Sequence, residues 1–146
     1  MKRLIIDLDD TLTVHGVAAD YADAPVRADV VDRLREYRAM GFEIVISTAR
    51  NMRTHEGNLG RINVHTLPKV IAWLDRHDVP YDEILMGKPW CGTEGFYVDD
   101  KAVRPDEFAR LDYDGIRALL GMGPAGSGAV SESEAGARSG SRAGDA

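Results

Sequence analysis

Apolar residues recur along this chain in two spacings, and the alternation between them outlines the architecture. Leu4 to Leu8 is a short apolar run closed by acids, the pattern of a buried strand that passes into a loop. Residues 12–25 mix turn formers with small apolar patches and read as a loop or a small hairpin. From Pro25, the residues Val26, Val30, Leu34 and Tyr37 return every three or four positions, one face of an amphipathic helix that ends before Gly41. Phe42 to Ile46 is a second strand. Residues 51–65 are mostly polar and read as a loop. A second helix begins near Thr66, with Pro68 in its first turn and Leu67, Val70, Ile71 and Leu74 toward the core. Ile84 to Met86 and Phe96 to Val98 give third and fourth short strands, and Pro105–Leu111 and Tyr113–Leu120 two short helices. Strands alternating with helices predict an α/β fold, a Rossmann-like three-layer sandwich around a mainly parallel sheet.

The pattern stops at residue 120. Residues 121–146 are rich in Gly, Ala and Ser and nearly free of large apolar side chains, so ordering them would cost entropy with little burial to offset it. The expected organisation is one folded domain over 1–120 and a disordered tail over 121–146.

Composition narrows the chemistry. The chain has 146 residues and a net charge of −6, with no basic block to grip a nucleic-acid backbone. Its one cysteine, Cys91, rules out an internal disulfide and CxxC zinc sites. No signal-like segment or long apolar run follows Met1-Lys2-Arg3, so the expectation is a cytoplasmic protein with no membrane partner.

Acids and cations collect where strands end. Asp7 and Asp9 lie two apart after the first strand, so in extended backbone they point the same way. One carboxylate can attack phosphorus while the other protonates the leaving oxygen and later activates water. Ser47-Thr48 ends the second strand, where a hydroxyl and a backbone N–H suit a phosphate oxygen. Lys88 follows the third and offers a fixed cation. Asp99-Asp100 follows the fourth; with Asp7, these acids offer the oxygen ligands that magnesium prefers. Each signal alone has a plainer reading, as a solvated turn or a surface lysine.

Together and in this order, the four motifs resemble the haloacid dehalogenase superfamily across residues 3–120. The stretches Gly41–Thr54, Glu56–Asn58, Ile62–Pro68, Val79–Ile84, Gly87–Gly92 and Gly95–Asp100 are similar to its small capsule-biosynthesis phosphatases. The resemblance implies a Mg2+-dependent phosphatase with Asp7 as nucleophile and Asp9 as general acid and base. Thr48 and Lys88 would bind phosphate, and Asp7, Asp9 through its backbone carbonyl, and Asp100 would form the metal site, with Asp99 placed just outside it. It also implies a phosphorylated sugar or polysaccharide intermediate as substrate. Only ten residues separate Lys88 from Asp99, fewer than the family's usual intervening helix needs, so Lys69 and Lys101 stand as alternatives to Lys88.

The gaps between motifs leave no room for a large cap domain. An open site is expected, or one closed by a neighbouring subunit in a homo-oligomer. Residues 50–66 then supply substrate contacts, with Arg50, Arg53, His55 and Asn58 as candidates. Trp73, Trp90 and Tyr97 read as core, and His15 as a lone histidine. Two rival classes remain: a receiver-like module that accepts a phosphoryl group without turnover, and a non-catalytic binding protein on the same scaffold.

Overall fold

A computed structural model describes residues 1–16 and 20–126. Three parallel strands, β1 (Arg3–Ile6), β2 (Glu43–Thr48) and β3 (Glu83–Met86), form a sheet in the order β1-β2-β3. Around it lie α1 (Ala28–Ala39), α2 (Leu59–His65), α3 (Leu67–Arg76), α4 (Pro105–Arg110) and α5 (Tyr113–Leu119). This is an α/β architecture of Rossmann-like type. No helix among the described residues is long and apolar enough to cross a membrane.

The register shows why these strands pair. Ile6 lies opposite Ile46, and Ile46 opposite Ile84, so one face of the sheet is apolar across all three strands. Leu4, Ile44 and Met86 share that face by alternation. Onto it pack Val30, Val31, Leu34 and Tyr37 of α1, Val70, Trp73 and Leu74 of α3, and Phe108 of α4. The other face begins with charge: Arg3 pairs with Glu43 at 3.7 Å and also with Glu83. Further along it, Val45 is fully buried, whereas Ile5 and Leu85 remain exposed. Burial on this face is therefore uneven.

Most of the expected elements form, with displaced ends. β2 runs two residues past Ile46 because Ser47 and Thr48 pair with Leu85 and Met86. α1 starts at Ala28 rather than Pro25, because Val14 N–H bonds to the Pro25 carbonyl (2.9 Å) and Thr13 bridges Val26. Those contacts close the base of the small hairpin read from residues 12–25. Trp73 pins it to α3 by donating its indole N–H to the Ala24 carbonyl at 2.9 Å.

Two expectations need correction. Residues 51–65 are not all loop: Asn58 caps α2 by accepting from Arg61 N–H at 3.1 Å, and Ile62 beneath it is buried. Phe96–Val98 is not a strand. Its side chains are 79%, 52% and 88% exposed, and it pairs with no described strand. Residues 87–95 are fewer than the roughly dozen that a crossover to a parallel strand requires. The segment instead crosses near the carboxyl ends of the strands, held where Tyr97 donates its hydroxyl hydrogen to the Pro89 carbonyl at 2.6 Å.

The tail assigned to 121–146 lies, from residue 127 onward, outside the described residues. Its first part folds back on α5: Arg117 donates to the carbonyls of Gly123 (2.7 Å) and Met122 (3.0 Å).

Candidate active site

The carboxyl ends of all three strands open into one cavity of about 770 Å³, the edge at which parallel α/β sheets bind ligands. Each wall owes its place to a local rule. After β1 the chain turns tightly, with the N–H groups of Thr11, Leu12 and Thr13 all directed at the Leu8 carbonyl. Leu8 and Leu12 are fully buried anchors on either side of that turn. Asp10 adopts φ 60°, a left-handed conformation that Asp tolerates, and its N–H is held by the Thr13 hydroxyl oxygen at 2.9 Å. The turn therefore presents Asp7 and Asp9 to the cavity. Leu8→Ala should cost about 2–5 kcal/mol of stability, read by urea unfolding. A smaller loss would mean that the turn is held by its backbone alone.

Asp7 is half-buried. Its carboxylate lies 3.5 Å from Lys88 Nζ and accepts the Thr11 hydroxyl at 3.2 Å. Desolvation pushes its pKa above the ordinary 3.8, opposed by Lys88 and by the Leu8 N–H and Thr11 hydroxyl. Lys88 follows Gly87, whose φ of 89° suits glycine, and its N–H bonds to the Thr48 carbonyl at 3.1 Å. Its ammonium also lies 4.3 Å from the centre of the Tyr97 ring.

Asp9 faces a different partner. Arg50 grips it with two bonds, Nη2 at 2.7 Å and Nε at 3.2 Å, the parallel fork that guanidinium and carboxylate favour. Arg50 is only 4% exposed, and its guanidinium carbon lies 4.2 Å from the centre of the Tyr21 ring. Thr48 is buried, and its hydroxyl oxygen accepts the Arg50 N–H at 3.1 Å. That contact braces the turn holding Arg50, and Thr48 is not among the cavity's walls.

The remaining candidates divide. Arg53 joins Arg50 in the walls. His55 does not, and its ring lies 5.8 Å from that of His65. Asn58 is also elsewhere, occupied in capping α2. Lys69 and Lys101 stay outside the walls, whereas Lys88 is in them. Asp99 and Asp100 are exposed and absent from the walls; Asp99 accepts the Lys101 N–H at 2.8 Å. Among the described residues no three acidic, His or Cys side chains are gathered closely enough to hold a metal. Asp7 does fit magnesium in another sense: the ion is commonly held by one or two carboxylates, with water and substrate phosphate completing its shell, and the Asp9 side chain, forked by Arg50, is not needed as a ligand.

Three aromatic residues line the cavity that the sequence did not single out for it: Tyr21, Trp90 and Tyr97. The signal was present for two of them, since Trp90 and Tyr97 closely follow Lys88. Trp73 is core as expected, at 1% exposure. Cys91 and His15 also reach the cavity, His15 paired with Asp10 at 3.1 Å.

A crystal structure of a structural-genomics target from Vibrio cholerae is similar to this chain, with 61% identity and a TM-score of 0.81. The match covers 84% of this chain and 98% of that one. No family model and no curated protein matches the chain.

Proposed function

We propose that this chain, which belongs to the same family as the Vibrio cholerae protein, is a magnesium-dependent phosphomonoester hydrolase that works through an aspartyl-phosphate at Asp7. The observation that carries the reading is Asp7 itself. It is a half-buried carboxylate at a parallel strand's carboxyl end, 3.5 Å from Lys88 and sharing its cavity with Asp9.

The chemistry follows from those groups. An Asp7 oxygen attacks phosphorus, and the bond from phosphorus to the ester oxygen breaks. Asp9 gives that leaving oxygen a proton. Water then attacks the phosphorus of the aspartyl-phosphate, Asp9 takes its proton, and inorganic phosphate leaves as the Asp7 carboxylate is restored. Lys88 offsets charge on the nucleophile and on the transferring group. Arg50 occupies both Asp9 oxygens before substrate arrives, so one of those bonds opens when Asp9 carries its proton. Magnesium, held by the Asp7 carboxylate and the Asp9 backbone carbonyl, would neutralise charge on the phosphoryl oxygens. The resemblance of the sequence motifs to haloacid dehalogenase phosphatases, and to the capsule-biosynthesis group among them, supports a phosphorylated sugar or polysaccharide intermediate as substrate. The cavity has room for such a leaving group.

Purified protein with magnesium and p-nitrophenyl phosphate should turn over many times. EDTA should reduce the rate at least about 100-fold, with recovery on adding magnesium, since a bound metal supplies several kcal/mol of charge stabilisation. A stable phospho-form without turnover would instead assign a receiver-like module. Absence of both would leave a binding protein.

A further inference from the structure

We propose that the cavity holds a second anion subsite at Arg53, so that the ester taken at Asp7 carries another anionic group on its leaving portion. The inference rests on the phosphatase reading and names the class of its substrate.

The cavity's charges are mostly engaged with one another. Lys88 faces Asp7, Arg50 is forked onto Asp9, and His15 pairs with Asp10. Arg50 cannot be spared for a distant part of the substrate. It is nearly inaccessible, bonded twice to Asp9 and close against Tyr21. Arg53 differs in each respect. It lines the cavity and is exposed, and no carboxylate among the described residues lies within ion-pair distance of it. Its guanidinium carbon lies 5.5 Å from the centre of the Trp90 ring.

That arrangement suits anion recognition. A guanidinium near an indole is favoured electrostatically, while its in-plane N–H donors remain free for a carboxylate or phosphate. The backbone beneath is fixed: Gly57 N–H bonds to the Met52 carbonyl (2.9 Å), His55 N–H to Asn51 (3.0 Å), and Glu56 N–H to Arg53 (3.3 Å). The walls hold four acids, Asp7, Asp9, Asp10 and Asp20, against the cations Arg50, Arg53 and Lys88. A doubly anionic ester needs a cation that no wall acid already holds. Arg53 meets that need, and a cavity of about 770 Å³ accommodates far more than orthophosphate.

The test uses two open-chain six-carbon esters, sorbitol 6-phosphate and 6-phosphogluconate, which differ at the far end by a hydroxymethyl group against a carboxylate. The wild type should show kcat/KM about tenfold higher for the acid, the worth of one charge-assisted contact. In Arg53→Met that ratio should fall to about one, and Arg53→Lys should recover part of it. Equal kcat/KM for both esters in the wild type, or a ratio unchanged in Arg53→Met, would overturn the subsite. Binding of the same pair to Asp7→Asn, followed by tryptophan fluorescence, separates this inference from the reading beneath it. If the wild type turns over neither these esters nor p-nitrophenyl phosphate but the acid binds more tightly in an Arg53-dependent way, the subsite stands and the phosphatase reading falls. Equal binding sinks the subsite.

Discussion

Asp7→Asn should reduce magnesium-dependent ester hydrolysis by about 10⁴-fold or more while leaving the melting temperature equal to or above that of the wild type. The loss follows from the chemistry, because an amide oxygen cannot form the acyl-phosphate on which turnover depends. The stability effect follows from burial. Desolvation raises the Asp7 pKa in the folded protein despite Lys88, so the folded state favours the neutral acid. Between the ordinary value of 3.8 and the raised folded value, the native chain binds more protons than the unfolded one. Stability from this group is therefore full at low pH, falls as pH rises through that window, and remains diminished at neutrality. Replacing the carboxylate with a neutral isostere lifts that penalty. Thermal melts of metal-free protein at pH 7 test it directly. A marked fall in the melting temperature would show that the Lys88 pair outweighs the cost of burial, and retained turnover would remove Asp7 as nucleophile.

Asp9→Asn should also lose most activity, about 10²–10⁴-fold, as expected for a general acid and base. Its effect on stability has the opposite sign. Arg50 is 4% exposed and directs two donors at Asp9, and an amide returns only one neutral acceptor. Weakening a charge-assisted bond to a buried guanidinium costs about 1–3 kcal/mol, or a melting temperature lower by about 5–10 °C in a domain of this size. The two variants thus form a pair: both inactive, one at least as stable as the wild type and the other less stable. Burst-phase kinetics divide their roles further. If Asp9→Asn still accumulates aspartyl-phosphate from p-nitrophenyl phosphate, whose leaving group needs little protonation, Asp9 acts mainly in the second half of the reaction. Equal melting temperatures for the two variants would mean that the Arg50 fork adds nothing to the fold.

These contrasts arise from two neighbouring carboxylates in different surroundings. Asp7 is made costly by the buried end of β1, with Lys88 only partly compensating. Asp9, two residues on, is partnered by a guanidinium from the turn after β2. Spacing alone brought both acids to the same edge. Their electrostatics depend on residues 41 and 81 positions away.

Local pattern was enough for much of this molecule. Runs such as Leu4–Leu8 and Phe42–Ile46 marked β1 and β2 by their short apolar length between turn signals, although Ile5 in the first run stays exposed. The three- and four-residue spacing of Val26, Val30, Leu34 and Tyr37 marked α1 because a helix must turn one face inward. Asp7, Asp9 and Lys88 were legible as neighbours of strand ends, since parallel strands align their carboxyl ends on one side of the sheet. Contacts between distant segments left no such trace. Nothing near Arg50 in the chain states that it pairs with Asp9 beside Tyr21, and α2 was hidden in a polar stretch because only Ile62 of its seven residues is buried. Phe96–Val98 shows the limit most clearly. Its residues suit a strand, but strand formation also needs a connection long enough to bring the segment to a free edge. With only residues 87–95 available, the chain stays beside the cavity, where Trp90 and Tyr97 line the site and Asp99 and Asp100 stand apart from it. Propensity is written residue by residue, whereas reach is a property of the whole path.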